Sequence, residues 1–504
     1  MNALLGIDVG TSGTKVLVWD GDDAVILGEA TAEHTLQTPH PGWAEQSPDE
    51  WWGATCEATK RALAVAKVSA ADVVGIGLSG QMHGSVFLDA SREVVRPCIL
   101  WCDNRTAPEC DEITQVAGKE NLHRWVANPA LPGFTAPKAV WLRNHEPENF
   151  RRTATLVLPK DFIRLRLTGE MATEVSDAAG TILYDVEHRQ WCDALIERLD
   201  LPRSWFVPVK GSEEVTGELT GEAAAALGLR AGIPVVGGGA DNAAGAVGCG
   251  IVREGRVFVS LGSSGVVLTP CDTFRVDPDE RLHSFCASVP GQWYLMGCML
   301  TAGLAWRWAR DVLCPDLLGQ ARARGADVYD LMMAEVDAAA PGAGGVNFLP
   351  HLQGERSPLN DPRASGAFAG IGLTSTRGDL LRAIAEGITH NLRACLDVAR
   401  DLGCPIEEIR LTGGGANSPV WRQLCADVFN AEIVVLGTAA GPALGAALLA
   451  GVGAGVYPDV PSTEASVPTG ERVIPNPESA SRHEELYRRW RELYPTLRPW
   501  MHGG

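Results

Sequence analysis

The stretch "LLGIDVGTSGTKVLVWD" (residues 4–20) contains two β-branched or leucine-rich runs that are joined by a turn of glycine, serine and threonine. A second stretch, "RVFVSLGSSGVVLTP" (256–270), repeats this pattern about half a chain later. A third, "EIRLTGGGANSP" (408–419), joins a similar run to a similar turn. Each pattern predicts a β-hairpin with a tight polar tip. The repeat predicts two domains of similar build.

The chain length agrees with two domains, because 504 residues are too many for one compact core. We place the domains at residues 1–248 and 249–504, with the small residues around 245–255 as a hinge. Past residue 379, helical and strand patterns alternate. The predicted order is helix 379–402, strand 408–412, helix 419–429, strand 432–436 and helix 441–450. This alternation predicts an α/β fold with a largely buried sheet.

Charge and composition exclude several classes of partner. The formal net charge is −19, which would repel a nucleic acid. Residues 433–457 are uncharged, but Pro442 and several glycines favour a buried strand, turn and helix over a membrane span. Thirteen cysteines without a C-x-x-C pair, and a start without a leader pattern, predict reduced thiols in a cytoplasmic protein. We therefore expect neither nucleic acid nor membrane as a partner and leave a homodimer open.

The turn after Asp8 has the composition of an anion site. Its residues 10–15 offer glycine backbone N–H groups and the hydroxyls of serine and threonine. The carboxylate of Asp8 would repel a bare phosphate, so the arrangement makes sense if Mg²⁺ lies between them, often through water. A plain hairpin explains the turn equally well. The repeat at 262–265 favours the phosphate interpretation, because two such turns facing one cleft would clamp two successive phosphates.

Asp241 follows a glycine-rich turn in "VVGGGADNAAGAVGCG" (235–250) and is predicted to lie at or near the start of a helix. An aspartate there is a good helix cap. A carboxylate among small apolar residues could also accept the proton of a substrate hydroxyl. Both interpretations stay open, and one residue could serve both roles.

The stretch "LSGQMHGSVFLD" (78–89) places His83 in a glycine-flanked turn after a predicted strand. A surface turn histidine is the plain interpretation, and a hydrogen bond to a ligand is the functional one. The same region contains a G-x-G-x-x-G pattern at Gly75–Gly80. The residues after this pattern start no helix, and no acidic residue ends a second strand at the expected distance. A nicotinamide-binding site is therefore not predicted there.

Several motifs in order carry a resemblance that spans nearly the whole chain. They are "GIDVGTSGTK", "GLSGQMHG", "GGGADNAAGAVG", "SLGSSG" and "LTGGGANSPVWRQLCADVF", with support from "GFTAPKAVWLRNH" and "GAFAGIGLTSTRGDLLRAIAE". This set resembles the FGGY carbohydrate kinases. The resemblance implies two duplicated ribonuclease-H-like domains of the actin-like ATPase type around a deep cleft. It also implies ATP and Mg²⁺ as cofactors.

The resemblance also implies roles for individual residues. Asp241 is expected to be the general base, and Asp8 the catalytic carboxylate linked to the metal and the phosphates. Sugar contacts are expected from Met82, His83, Arg105 and Asn242. Nucleotide contacts are expected from Thr11, Ser12, Thr14, Ser263, Ser264, Gly413, Gly414 and Asn417. Cys102 and Asn104 depart from the family pattern around Arg105.

Within the family, "SGQMHG" resembles the branch that phosphorylates D-xylulose to D-xylulose 5-phosphate, with the sugar in the first domain and the nucleotide in the second. Alternatives in the same family act on ribulose, glycerol, gluconate or a tetritol. A non-catalytic, nucleotide-gated protein of the actin-like fold is a rival from another class, against which the intact Asp8 and Asp241 argue. A dehydrogenase is a third alternative, weakened by the failed dinucleotide motif.

Overall fold

The computed structural model describes residues 1–437 and 441–503. In the first half the strands are β1 (Ala3–Val9), β2 (Gly13–Asp20), β3 (Val25–Glu33), β4 (Glu45–Gln46), β5 (Val73–Gly80), β6 (Val86–Asp89), β7 (Cys98–Ile99), β8 (Thr153–Val157), β9 (Thr173–Glu174), β10 (Tyr184–Asp185), β11 (Gln190–Trp191), β12 (Val209–Lys210), β13 (Val215–Glu218), β14 (Pro234–Val236) and β15 (Gly239–Ala240). In the second half they are β16 (Gly255–Leu261), β17 (Gly265–Cys271), β18 (His283–Cys286), β19 (Trp293–Met299), β20 (Asn347–Leu349), β21 (Ala367–Ala369), β22 (Ile406–Thr412), β23 (Glu432–Leu436) and β24 (Thr469–Val473).

Helices surround these strands throughout the chain. They are α1 (Pro48–Ala66), α2 (Ala107–Ala117), α3 (Lys119–Val126), α4 (Thr135–His145), α5 (Pro147–Arg152), α6 (Pro159–Thr168), α7 (Val175–Ala179), α8 (Asp193–Arg198), α9 (Gly221–Leu227), α10 (Asp241–Gly248), α11 (Gly303–Leu313), α12 (Pro315–Arg324), α13 (Val328–Ala338), α14 (Arg377–Asp401), α15 (Pro419–Phe429), α16 (Gly441–Gly453), α17 (Pro477–Arg491) and α18 (Leu493–Met501). Within the described ranges, every helix is too short or too polar to span a bilayer.

Two seven-stranded sheets, one from each half, repeat the same strand order. The first runs β13–β14–β5–β1–β2–β3, with β15 also pairing with β5, and the second runs β18–β19–β17–β16–β22–β23–β24. In each, the opening strand has an antiparallel hairpin partner on one side and a parallel strand on the other. The repeated order confirms the predicted duplicated α/β fold.

The first two predicted hairpins are confirmed, and the third is wrong. β1 pairs with β2 and β16 with β17, both antiparallel and with short polar tips between them. β22 instead runs into a 3₁₀ turn, Gly414–Asn417, and then into α15. The reason lies in the helix start: the Ser418 side chain accepts a hydrogen bond from the Trp421 N–H, and Pro419 occupies the first turn. This third turn is therefore a strand-to-helix connection.

The predicted strand and helix order after residue 379 is confirmed. α14, β22, α15, β23 and α16 follow one another as expected, with ends within a few residues of the predicted ones. The turn predicted within 433–457 lies partly outside the described residues, because 438–440 are not described. The apolar helix that comes next is buried in the protein.

Helix α16 belongs to the second half by sequence but packs against the first sheet and against α10. Its backbone comes so close that side chains would not fit at the contacts. A Cβ on Gly6 of β1 would lie 1.8 Å from the Ala443 carbonyl oxygen, and one on Gly77 of β5 would lie 1.8 Å from that of Ala446. Gly75 and Gly77 of the G-x-G-x-x-G pattern are thus strand residues of β5 whose missing side chains admit α16.

The contact between α10 and α16 is equally close. A Cβ on Gly445 would lie 1.7 Å from the Ala244 carbonyl oxygen, and one on Gly248 would lie 1.9 Å from that of Gly441. The small residues of 245–248, in which the sequence suggested a hinge, therefore serve helix packing. Bending of the chain at 249–255 stays a prediction.

Gly445→Ala should lower the melting temperature, because the added methyl group must push α10 and α16 apart. Overpacking of this kind costs about 1–3 kcal/mol of unfolding free energy. Gly319→Ala is the matched control, since Gly319 lies on α12 with open space around its Cβ position. That control should be neutral or more stable by up to about 1 kcal/mol. Equal melting temperatures of Gly445→Ala and the wild type would contradict the described helix contact.

Candidate active site

Two carboxylates lie at the ends of β1 and α10, which both pack against α16. Asp8 is the last residue but one of β1, and Asp241 is the first residue of α10. Ala240 occupies the cap position of α10, so Asp241 is not the cap residue. The Asp241 Oδ1 atom accepts hydrogen bonds from the backbone N–H and the side-chain amide of Asn242, at 2.7 and 2.9 Å. Among residues 1–437 and 441–503, its Oδ2 atom accepts no hydrogen bond and is available to a ligand.

The surroundings of these carboxylates raise both of their pKa values. Burial raises the pKa of Asp8 to about 6, against the opposing influence of the Ser79 hydroxyl and the Lys15 charge. Burial raises the pKa of Asp241 to about 7, and the nearby negative charge of Asp8 raises it further, while hydrogen bonds from Asn242 oppose the shift. A carboxyl group with a pKa near neutrality in a cavity is suited to proton transfer.

One cavity of about 250 Å³ brings Asp241 together with most of the predicted sugar contacts. It is lined by Met82, His83, Trp101, Leu131, Gly133, Phe134, Asp241, Asn242, Ser264, Val266, Met296, Cys298 and Arg356. The Asn242 side-chain amide also lies 3.7 Å from the Met82 sulfur, which joins the two sequence motifs directly. Both halves of the chain line this cavity.

His83 has a left-handed backbone conformation, with φ of 67°, and its side chain is fixed in the cavity wall. Its Nδ1 atom lies 2.7 Å from the Gly180 carbonyl oxygen, so Nδ1 carries the proton and donates. Burial lowers the pKa of His83 to about 3, which keeps the ring neutral. Nε2 is therefore a hydrogen-bond acceptor for a hydroxyl group. Below the turn, the Lys138 ammonium donates to the His83 and Gly133 carbonyl oxygens, at 2.8 and 2.7 Å.

A second cavity, of about 360 Å³, adjoins the second hairpin. It is lined by Leu261, Gly262, Ser263, Gly303, Trp306, Arg307, Asp327, Tyr329, Asp330, Met333, Gly414, Gly415, Asn417, Ser418 and Trp421. Ser263, Gly414 and Asn417 were predicted, and Gly413, with φ of 90°, directly precedes Gly414. Ser263 lines this cavity whereas Ser264 lines the first one. The tip of the second hairpin therefore lies between the two cavities.

The first hairpin tip is held in place by its own hydroxyl groups. The Thr11 hydroxyl donates to the Gln81 Oε1 atom at 3.0 Å and accepts from the Trp101 indole at 2.9 Å. The buried Thr14 hydroxyl is bound to the His34 Nε2 atom at 2.9 Å, which turns it away from both cavities. Ser12 is exposed at the tip. Since Trp101 lines the first cavity, this tip lies beside the same space as Ser264.

Arg105 is not among the residues that line either cavity. Its guanidinium donates to Asp103 at 2.9 and 2.7 Å and forms an ion pair with Glu45 at 2.7 Å. It stacks 3.6 Å from the ring centre of Trp43. The positive charge of Arg105 is therefore paired with carboxylates of the first half of the chain.

Sequence reasoning missed several residues of both cavities. Phe134 lies within the quoted motif "GFTAPKAVWLRNH", but no chemistry was assigned to it, nor to Trp101 and Arg356. Phe134 packs edge-on against the His83 ring, with centroids 4.8 Å apart. Trp306 and Tyr329 lie on helices without a motif, so no sequence signal pointed from there to the second cavity.

Asp8 is also the residue that fits a metal ion best. Its Oδ1 atom is buried and has no hydrogen-bond partner in residues 1–437 and 441–503. The same part of the chain contains no group of three or more His, Cys, Asp or Glu side chains that could hold a metal. A cation there would therefore take most of its ligands from water or from phosphate oxygens, as Mg²⁺ does in phosphoryl-transfer sites.

Comparison with known proteins agrees with this geometry. Residues 3–248 match the N-terminal domain, and residues 257–454 the C-terminal domain, of the FGGY family of carbohydrate kinases. The xylulose kinase of Escherichia coli K12 is 42% identical over 89% of this chain and 90% of its own length. That of Bacillus subtilis is 36% identical over 91% of this chain and 89% of its own length.

A crystal structure gives the same result in three dimensions. The xylulose kinase of Rhodospirillum rubrum superimposes with a TM-score of 0.92 at 32% identity, and the match covers 99% of this chain and all of that one. The matches together confirm the resemblance seen in the motifs. This chain belongs to the FGGY family of carbohydrate kinases, with the duplicated actin-like ATPase fold.

Proposed function

We propose that this chain transfers the γ-phosphoryl group of ATP to D-xylulose and forms D-xylulose 5-phosphate. The observation that carries the proposal is the position of Asp241, which shares a cavity with His83 and with the tip of the second hairpin. Residues 1–248 would supply most of the sugar site, and residues 249–504 the nucleotide site. The xylulose kinase relatives support the choice of sugar.

In this proposal the sugar lies between His83 and Asp241. The neutral His83 ring accepts a hydrogen bond at Nε2, and Met82 contacts the C–H face of the sugar. Asp241 orients the terminal hydroxyl group and accepts its proton while the bond from that oxygen to the γ-phosphorus forms. The bond from phosphorus to the bridging oxygen breaks, and ADP leaves. Because the transition state is loose, placement and charge neutralisation contribute more than basicity.

The nucleotide would occupy the second cavity, with its adenosine against Gly413, Gly414 and Asn417. Its phosphates would lie between the two hairpin tips, at Thr11 and Ser12 on one side and Ser263 and Ser264 on the other. The hydroxyl of Thr14 supports its own tip through His34, so its share in phosphate binding would be indirect. Arg105 likewise would support the sugar site through Glu45 and Asp103.

Asp8 would hold Mg²⁺, either directly or through water, with phosphate oxygens as the remaining ligands. The ion would neutralise charge on the phosphates during transfer. The unpartnered Oδ1 atom of Asp8 supports this assignment. The protein's own contribution is to keep the carboxylate half-buried at the end of β1, where Ser79 and Lys15 favour its charged form.

Two further expectations complete the proposal. All thirteen cysteines are free thiols, and the Cys271 and Cys404 sulfurs lie 3.3 Å apart without a bond. This arrangement supports a reducing compartment such as the cytoplasm. A homodimer stays a prediction that the size of the protein in solution would test.

The proposed function is tested by sugar-dependent release of ADP in a coupled assay. D-xylulose should give the highest kcat/KM in a panel with D-ribulose, glycerol, D-gluconate and a tetritol. A higher kcat/KM with another member of the panel would change the proposed substrate but leave the proposed kinase activity unchanged. ADP release that no member of the panel stimulates would favour the non-catalytic, nucleotide-gated alternative.

Asp241→Asn should lower kcat by about 10²–10⁴-fold, because the amide cannot accept the hydroxyl proton. In the wild type, kcat/KM should fall about tenfold per pH unit below about pH 7, since protonated Asp241 is inactive. The exposed Asp23→Asn, on the turn after β2, is the control and should keep both properties. Full turnover by Asp241→Asn would remove Asp241 from the role of base.

Asp8→Asn should raise the Mg²⁺ concentration that half-saturates the rate, because a charged ligand is lost. It should also move the acid side of the pH profile to lower pH. The negative charge of Asp8 raises the pKa of Asp241, so its removal lets Asp241 ionise more readily. Titrations of the initial rate with Mg²⁺ and with pH measure these effects, again beside Asp23→Asn. An unchanged Mg²⁺ requirement would contradict the metal assignment.

A further inference from the structure

Arg356 is the one arginine or lysine among the residues that line the sugar cavity. It comes from the second half of the chain, whereas Asp241, Met82 and His83 come from the first. In residues 1–437 and 441–503 its guanidinium has no hydrogen-bond acceptor and no ion-pair partner. Arg105, by contrast, is paired with the carboxylates of Glu45 and Asp103. An arginine without a protein partner beside a substrate cavity has its donors available for a ligand.

The backbone of Arg356 is rigidly held. The buried Glu355 carboxylate accepts the N–H groups of Arg356 and Leu300 through Oε1, both at 2.9 Å. Its Oε2 atom accepts hydrogen bonds from His351 and Asn391, both at 3.1 Å. On the other side, the Ser357 N–H donates to the Cys298 carbonyl oxygen at 3.1 Å. The protein therefore fixes the position from which the guanidinium extends.

Arg356 lies near residues of the sugar site and near the tip of the second hairpin. Cys298, on β19, is the strand partner of Val266 on β17. Val266 comes two residues after Ser264 of the hairpin tip. The Arg356 charge is also one of the charges that disfavour a protonated His83 ring. Arg356 thus lines the same cavity as His83 and as Ser264 of the hairpin tip.

We propose that Arg356 is a ligand of the phosphoryl group while it is transferred and after it has joined the sugar. This inference rests on the proposed function. The phosphoryl group arrives beside Asp8 and Asp241, which are both acidic, so it needs a positive charge within the cavity. A guanidinium binds phosphate oxygens through paired N–H donors and does so more strongly than it binds a neutral hydroxyl. Arg356 is then a catalytic residue that favours the phosphorylated over the free sugar.

The test compares Arg356→Met and Arg356→Lys with the wild type, with Arg363→Met as the matched control. Arg363 lies further along the same loop, is exposed and lines neither cavity. The readouts are kcat, the KM for D-xylulose and for ATP, and the product-inhibition constant of D-xylulose 5-phosphate. Loss of a charge-assisted hydrogen bond corresponds to a change of about 10–100-fold.

For Arg356→Met we expect kcat to fall and the product-inhibition constant to rise, each by about 10–100-fold, while the KM for D-xylulose stays within about threefold. Arg356→Lys should recover part of both losses, since it restores the charge without the paired donors. Arg363→Met should match the wild type. A melting curve of each variant separates these effects from loss of folding, and the lysine variant carries the test if the methionine variant does not fold.

Two outcomes would overturn the proposal. If the KM for D-xylulose and the inhibition constant rise by the same factor at unchanged kcat, Arg356 binds a sugar hydroxyl. His83→Ala gives the reference for that pattern. If no parameter changes, Arg356 contacts neither ligand. Should the wild type prefer another sugar, the same measurements are made with that sugar and its phosphate, so failure of the proposed substrate is distinct from failure of the Arg356 assignment.

Discussion

The packing of α16 into the first half of the molecule is the constraint on which the site depends. One side of this helix lies on β1 and β5, and another lies against α10. Asp8 is the last residue but one of β1, β5 leads to His83, and α10 begins with Asp241. A displacement of α16 would therefore move both carboxylates and the turn that carries His83 together. The contacts are possible only because glycines face the helix backbone, at distances that exclude even a methyl group.

This arrangement also explains why the two carboxylates titrate unusually. Close packing of helix and strands removes water from the ends of β1 and α10, and burial is the main cause of both raised pKa values. Asp8 and Asp241 then repel one another, which raises the pKa of Asp241 further. Packing energy elsewhere in the protein offsets this repulsion. The result is a pair of carboxyl groups, one lining the cavity and one near it, that suits the proposed roles of proton acceptor and cation ligand.

Much of the site could be predicted because its residues sit in local patterns. The hairpin tips, the strand end at Asp8 and the helix start at Asp241 follow from turn chemistry and periodicity, which act over a few residues. Ser263 and Ser264 were found as a pair, yet they line different cavities, because successive residues at a tip point in different directions. The resemblance implied a nucleotide contact for Thr14, whereas the fold directs its hydroxyl to His34. Arg105 and Arg356 differ in the same way: no local pattern reveals which arginine finds a carboxylate partner.

The class of the fold, the order of its elements, the two hairpin tips and the choice of Asp8 and Asp241 as candidate site residues could all be inferred from the amino-acid sequence. These features depend on hydrophobic periodicity, turn residues and motif order, which are all local properties of the chain. The folded structure was needed to show that α16 packs in the opposite half. It was also needed to show that Trp101, Phe134 and Arg356 join His83 around one cavity. Such contacts join residues far apart in the sequence. They are set by shape, burial and charge in the folded protein, where glycines permit the close approach and the remaining charges must find partners.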